Sequence, residues 1–284
     1  MKILIKAVGF IGDNLFGSSI PKKLKEQYGF DNCEVDYLLT LPQPFELISL
    51  NPYIDNAYLT SPNKSYDKIY QLSLIHRKLT PCEQFQTQCE VLSPSPEFKI
   101  YTNKSLDEYV KHCFLPIKDK KIVAWLSNWE ERSFIFTPKE YEDGVDVPGY
   151  GYGGKHRNIS SIIDILSSNP EVFLVEVGKP NGTDQKITDV FTVSEYSLTA
   201  SILKNCHYFI GAEGGLANLA SGVGTKTILT GDFVHQLYGW NGVIEKCEEP
   251  KLGPKYYFGE ENHKVLDPYL TDEQVAQSIL NLIL

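Results

Sequence analysis

An acid stands in a glycine turn between two apolar runs. The segment is Gly211-Ala-Glu-Gly-Gly-Leu-Ala-Asn-Leu-Ala-Ser-Gly-Val-Gly224, preceded by Cys206 to Ile210 and followed by Thr227 to Leu229. It spells strand, glycine turn, small-residue helix, strand. A helix opened by glycines at the C-terminal end of a parallel strand presents N–H groups that have no partner within the helix, and these hold an anion. Glu213 adds a carboxylate to the same turn. Together they suit a phosphate gripped by backbone amides and a sugar hydroxyl gripped by a carboxylate. Plain close packing of a glycine-rich helix on a sheet is the simpler alternative. It leaves Glu213 at a buried strand end, where a carboxylate needs a partner.

Two further groups carry chemistry. In Gly9-Phe-Ile-Gly-Asp-Asn14, Asp13 ends a glycine turn where a helix starts. Asp is among the best N-cap residues. It is equally a general base, if an attacking hydroxyl comes within hydrogen-bond reach. Both roles coexist only if the carboxylate is free to turn. Lys155-His-Arg157 follows the glycine run Gly149 to Gly154. Its two cations could neutralise a diphosphate, or they form a solvated basic patch. Gly9, Gly12 and Gly17 do not match the dinucleotide pattern GxGxxG, and Thr40-Leu-Pro42 stands where its acid should follow strand two. The run at 149–154 matches GxGxxG literally but does not directly follow a strand, which favours a flap. No DxD pair offers a divalent metal to a diphosphate, and no metal ligands are assigned. The scattered histidines are given no role, and Trp125 and Trp129 fit core or lid positions.

These groups need a scaffold of strands and helices. Strands are expected at Ile3 to Ile5, Val35 to Thr40, Ala57 to Leu59 and Lys68 to Leu72, with helices at Asn14 to Tyr28 and Phe45 to Leu50. A charged, proline-bearing linker, Pro116 to Lys121, begins a second half. Strands there are expected at Ile122 to Leu126 and Val172 to Val177, with helices at Ser160 to Leu166 and Ser197 to Lys204. Short apolar runs alternating with helical patterns predict parallel sheets. The fold class is α/β, with two Rossmann-like domains facing a central cleft. The expected domains are 1–116 and 117–270. A final helix, 271–284, capped by Thr271 with Gln274, is expected to pack back toward the first domain. Ligands lie beyond the C-terminal ends of the strands in such folds.

A length of 284 residues accommodates two medium domains. The net charge of −9 disfavours a broad nucleic-acid footprint, which needs a basic face, without excluding a local basic patch. None of the six cysteines stands in a CxxC or zinc-ligand spacing, so all are expected to be reduced thiols. No apolar run reaches membrane-spanning length, and MKILIKAVGF does not resemble a signal peptide. A cytoplasmic location is expected.

Three segments together resemble the heptosyltransferase-like glycosyltransferases of family 9, which have the GT-B fold. They are Ile3 to Leu15, Glu46 to Leu59 with its Asn-Pro-Tyr-Ile-Asp run, and Leu198 to Leu229. The resemblance implies an inverting, metal-independent glycosyltransferase that takes a sugar from a nucleotide diphosphate sugar, with no cofactor beyond that co-substrate. It implies Asp13 as the base, with Gly12 and Asn14 beside it on the acceptor side. It implies Lys155, Arg157, Ser194, Glu213, Gly214, Gly215, Leu216 and Asn218 as donor-binding residues. The family's turn reads Asp-Thr/Ser-Gly-Leu-x-His. Here Glu213, Gly214 and Asn218 depart from it, so the donor sugar is left open. The acceptor is also open, a glycan or another hydroxyl compound, with its specificity expected in 74–118. Two alternatives stand beside this reading: a sugar-nucleotide epimerase or hydrolase of similar fold, and a catalytically degenerate sugar-nucleotide-binding protein.

Overall fold

The computed structural model describes residues 1–9, 11–73, 80–127, 129, 134–135, 155–178, 196–212, 214–230, 263–266 and 270–284. The first half runs β1 (Lys2–Lys6), α1 (Ile11–Gly17), α2 (Ile20–Tyr28), β2 (Glu34–Leu38), α3 (Phe45–Ser49), β3 (Asn56–Tyr58), β4 (Lys68–Gln71), α4 (Pro81–Gln88) and α5 (Lys104–Phe114). Its four strands form one parallel sheet in the order β3-β2-β1-β4, with Ile3 opposite both Val35 and Lys68. The second half runs β5 (Lys121–Leu126), β6 (Phe134–Ile135), β7 (Lys155–His156), α6 (Ile159–Ser167), β8 (Val172–Val177), α7 (Tyr196–Asn205), β9 (Tyr208–Gly211), α8 (Gly215–Gly222), β10 (Lys226–Thr230), β11 (His263–Leu266) and α9 (Asp272–Ile283). Five of these strands make a second parallel sheet, β11-β10-β9-β5-β8. β6 and β7 pair as a short antiparallel ribbon.

The central strands are buried on both faces, as parallel sheets covered by helices require. Ile3, Leu4 and Ile5 of β1 and Val123 and Ala124 of β5 are all core residues. The first half opens differently from the single helix expected over 14–28. Two helices stand there, separated at Ser18–Ser19. Pro21 has no N–H to give to the carbonyl of Gly17, and its ring crowds that carbonyl. Ser18 closes the first helix by donating its hydroxyl to Leu15 O at 2.6 Å. α1 also starts two residues before Asp13, which therefore stands in the first turn and not at the cap.

Two helices show how the halves are packed. α5, placed in the first domain by a boundary at 116, packs against α7 of the second half. Lys204 at the end of α7 holds Asp107 of α5 at 2.6 Å, and Ile100 N already donates to Gly222 O at 2.7 Å. The chain thus crosses between the halves before α5. Among the described residues the C-terminal helix packs mainly on α6 of its own half. Its apolar stripe of Val275, Ala276, Ile279 and Ile283 is buried, and Tyr208 Oη donates to Leu282 O at 3.0 Å. The capping box is present, with Gln274 N reaching Thr271 Oγ1 at 3.3 Å and Thr271 N reaching Gln274 Oε1 at 2.9 Å. Among the described residues no helix is long and apolar enough to cross a membrane.

His263 sits buried at the start of β11 between Ser221 and Thr227. Burial pushes its pKa from the ordinary 6.5 down to about 4. The unfolded chain therefore binds a proton between these values that the folded chain refuses. The stabilisation is full above about pH 6.5 and is lost as the pH falls toward 4, a change of roughly 3 kcal/mol. Urea titrations of the parent chain should show this slope, and His263→Gln should flatten it.

Candidate active site between two helix N-termini

The site is built where α1 of the first half meets α8 of the second. Each helix follows the C-terminal end of a central strand, β1 and β9 respectively. The two N-termini lie against each other. A Cβ built on Gly215 would touch Ile11 Cγ2 at 3.5 Å and come within 4.0 Å of the Gly12 nitrogen. Gly214, before the first turn of α8, has φ 152°, a region that only glycine enters without strain.

Gly9 in the loop after β1 and Gly12 and Gly17 in α1 are not a nucleotide fingerprint. Each makes room for a polar side chain. A Cβ on Gly9 (φ 70°) would stand 2.2 Å from Asp13 Oδ2, one on Gly12 2.3 Å from Asn218 Nδ2, and one on Gly17 2.2 Å from Tyr37 Oη. The Asp13 carboxylate is thus folded back over the loop that follows β1, half-buried at the seam between the halves. Tyr37 is fully buried and donates to Asn14 O at 3.0 Å. Burial drives its pKa up, and the nearby carboxylate of Asp13 adds to that, so the phenol stays neutral.

Asn14 does not face a ligand. Its side chain is completely buried; Nδ2 donates to Thr40 Oγ1 at 2.9 Å, and Oδ1 accepts from Thr40 N at 3.4 Å. Thr40 in turn donates to Gly9 O at 3.0 Å. Asn14 and Thr40 therefore clamp the loop over which Asp13 lies. Thr40 is the position where the dinucleotide reading looks for an acid, and its hydroxyl supports the loop instead.

On the second half, Asn218 is 4% exposed, and its Oδ1 has no hydrogen-bond partner among the described residues. Its amide fills the notch at Gly12 and so couples the two helices. Leu216 packs on the strand ends, and its Cδ1 would lie 3.3 Å from a Cβ on Gly178 (φ 116°), just past β8. Ser127, just past β5, would crowd the same Cβ at 2.6 Å. Trp125 and Trp129 are core residues, and Trp129 Nε1 donates to Thr230 Oγ1.

Arg157 is not at this site. It is 1% exposed and donates from Nη1 to Leu270 O at 2.7 Å, with Asp272 Oδ1 at 3.5 Å. Asp272 also accepts from Asn158 N at 3.0 Å. The guanidinium thus bolts the start of α6 to the start of α9. Ser194, Glu213, the Lys155 side chain and the glycine run 149–154 lie outside the described residues.

The Gly12–Asn218 contact yields a prediction. Gly12 has an ordinary helical backbone, so alanine there is opposed only by the Asn218 amide. Gly12→Ala should cost about 1–3 kcal/mol of folding stability, the usual penalty of overpacking. Asn218→Ala in the same chain should return most of that loss. Urea titrations of a double-mutant cycle measure the coupling, and simple additivity would mean the amide swings clear.

No protein-family model matches the sequence, and no curated protein matches it in sequence. Solved structures do match in shape over nearly the whole chain. The glycosyl transferase family 9 protein from Veillonella parvula DSM 2008 is 10% identical, with 99% of this chain and 97% of that one covered and a TM-score of 0.68. The E. coli ADP-heptose LPS heptosyltransferase II is 12% identical, with 100% and 98% covered and a TM-score of 0.62. E. coli heptosyltransferase WaaC with ADP-2-deoxy-2-fluoro heptose is 11% identical, with 100% and 99% covered and a TM-score of 0.59. The chain therefore has the GT-B fold, two parallel α/β sheets with their strand ends turned to a shared seam, in the form that these glycosyltransferases share.

Proposed function

We propose that the chain is an inverting glycosyltransferase that moves a sugar from a nucleotide diphosphate sugar to an acceptor hydroxyl, with no metal ion required at the diphosphate. The observation that carries this reading is the seam itself. A carboxylate from the first half, Asp13, and a glycine-opened helix of the second half, at Gly214–Gly215, stand on adjoining N-termini. A base and an anion-holding helix end must be neighbours for one displacement at an anomeric carbon. The fold shared with glycosyltransferases supports the same reading.

In this mechanism the diphosphate rests on the free amides that open α8, whose positive end stabilises the negative charge that develops on the leaving group. Asp13 takes the proton from the acceptor hydroxyl as oxygen attacks the anomeric carbon from the opposite face. One C–O bond forms, the bond to the diphosphate breaks, and the proton ends on the Asp13 carboxyl group. Asn218 of α8 packs on Gly12, the residue before the base, and so ties the two halves together there. Glu213, Ser194 and Lys155 enter this reading from the sequence alone, as donor contacts. We place the protein in the cytoplasm on the same footing.

Donor binding is tested by thermal shift with ADP-, UDP-, GDP- and dTDP-sugars, because a ligand that binds only the folded state raises the melting temperature. One nucleotide series should stabilise the chain, and Gly214→Val should abolish the shift. Stabilisation by none of the four would remove the donor half of the proposal.

A further inference from the structure

A second cavity opens at the other end of the α1–α8 contact. It encloses about 400 Å³ and is walled by both halves: the α1–α2 junction from the first, Ser221 to Gly224 at the end of α8 from the second, and the crossing segment between them. Its lining starts at Ser18, a helical rise of about 7–8 Å beyond Asp13 along α1, and includes neither Asp13 nor Gly214 and Gly215. This cavity therefore belongs neither to the base nor to the glycine turn.

Its lining is cationic in an acidic protein. Lys22, Lys23 and Lys99 face Glu97 as the lining carboxylate, while the whole chain carries −9. The ammonium groups gather over an aromatic pair. Lys22 Nζ is 6.0 Å from the centre of the Tyr53 ring, and Lys99 Nζ is 5.4 Å from that of Tyr101. The two rings touch edge to face, 6.2 Å apart at 67°. That arrangement leaves no parallel slot for a planar base but offers ring faces and phenol hydroxyls to a saturated polyol.

From these features we propose a binding site for a phosphorylated sugar between the two halves, remote from the reacting groups. Lysines hold the phosphate as point charges. The tyrosine rings cover the C–H face of the sugar. The volume exceeds what a lone oxyanion fills and falls in the range of small-ligand pockets. A ligand here touches both halves and so favours the arrangement in which they are joined.

The test is calorimetric titration of the full chain with glucose 6-phosphate, and with glucose and inorganic phosphate as separate arms. Glucose 6-phosphate should saturate and bind more tightly than either fragment. The exposed-lysine double variant Lys22→Ala/Lys99→Ala should weaken it by about 10-fold or more, as loss of charge-assisted contacts requires. Lys118→Ala, which removes an equal charge from a distant surface, should leave it unchanged. The inference is overturned by absence of saturation up to about 10 mM, by binding that the double variant leaves within about twofold, or by a fragment that binds as tightly. Binding alone is read, so the result does not depend on the transfer reaction.

Discussion

Asp13→Asn should lower turnover by roughly 100- to 10,000-fold, the usual contribution of a positioned general base, while donor affinity and fold stay close to those of the parent. The amide has the shape of the carboxylate and still fits over Gly9, where the side chain is folded back. What it cannot do is accept the acceptor's proton. The competing role, a helix cap, makes the opposite forecast of lost stability with retained turnover. The structure already weakens that role, because α1 begins at Ile11 and Asp13 stands in its first turn. A carboxylate there interacts with the helix dipole by only about 0.3–1 kcal/mol. Steady-state kinetics and urea unfolding on the same variant separate the two. Near-normal turnover would dismiss Asp13 as the base.

Arg157→Met should be the most destabilising single change discussed here, at about 3–5 kcal/mol. Removing one partner of a buried ion pair leaves the other charge uncompensated. Asp272 would keep its contact with Asn158 N but lose the guanidinium, and Leu270 O would lose its donor. The start of α9 would then detach from α6. Chemical denaturation measures the loss, and donor affinity of the folded fraction should be unchanged. A variant of parent stability with weakened donor binding would instead return Arg157 to the donor site, where its position beside Lys155 first placed it.

That contrast shows what could be read from the chain and what could not. Local signals were strong where a residue's neighbours in sequence decide its structure. The strand from Val172 to Val177 and the capping box at Thr271 and Gln274 depend on periodicity and on i to i+3 contacts, and both are found as expected. The helix expected over 14–28 is broken at Pro21, a helix breaker present in the sequence. Contacts across the fold were out of reach. Nothing near Arg157 in sequence announces Asp272, and nothing near Gly12 announces Asn218. Gly9, Gly12 and Gly17 miss a nucleotide fingerprint in sequence alone. Their use, as notches for Asp13, Asn218 and Tyr37, needs the folded chain. Asn14 follows Asp13 in sequence, and its contact with Thr40 likewise needs the folded chain. The small strand β11, His263–Leu266, has too little pattern to stand out and is held by pairing with β10.

The stereochemistry of the product decides the central claim most directly. Once thermal shift has identified a donor, the purified chain is incubated with that nucleotide diphosphate sugar and a panel of hydroxyl acceptors. Proton NMR then reads the anomeric coupling of whatever glycoside forms. A single displacement with Asp13 as base gives a glycoside of anomeric configuration opposite to the donor's, and Asp13→Asn forms it far more slowly. A product of retained configuration, or free sugar released at the same rate with and without acceptor, would contradict it.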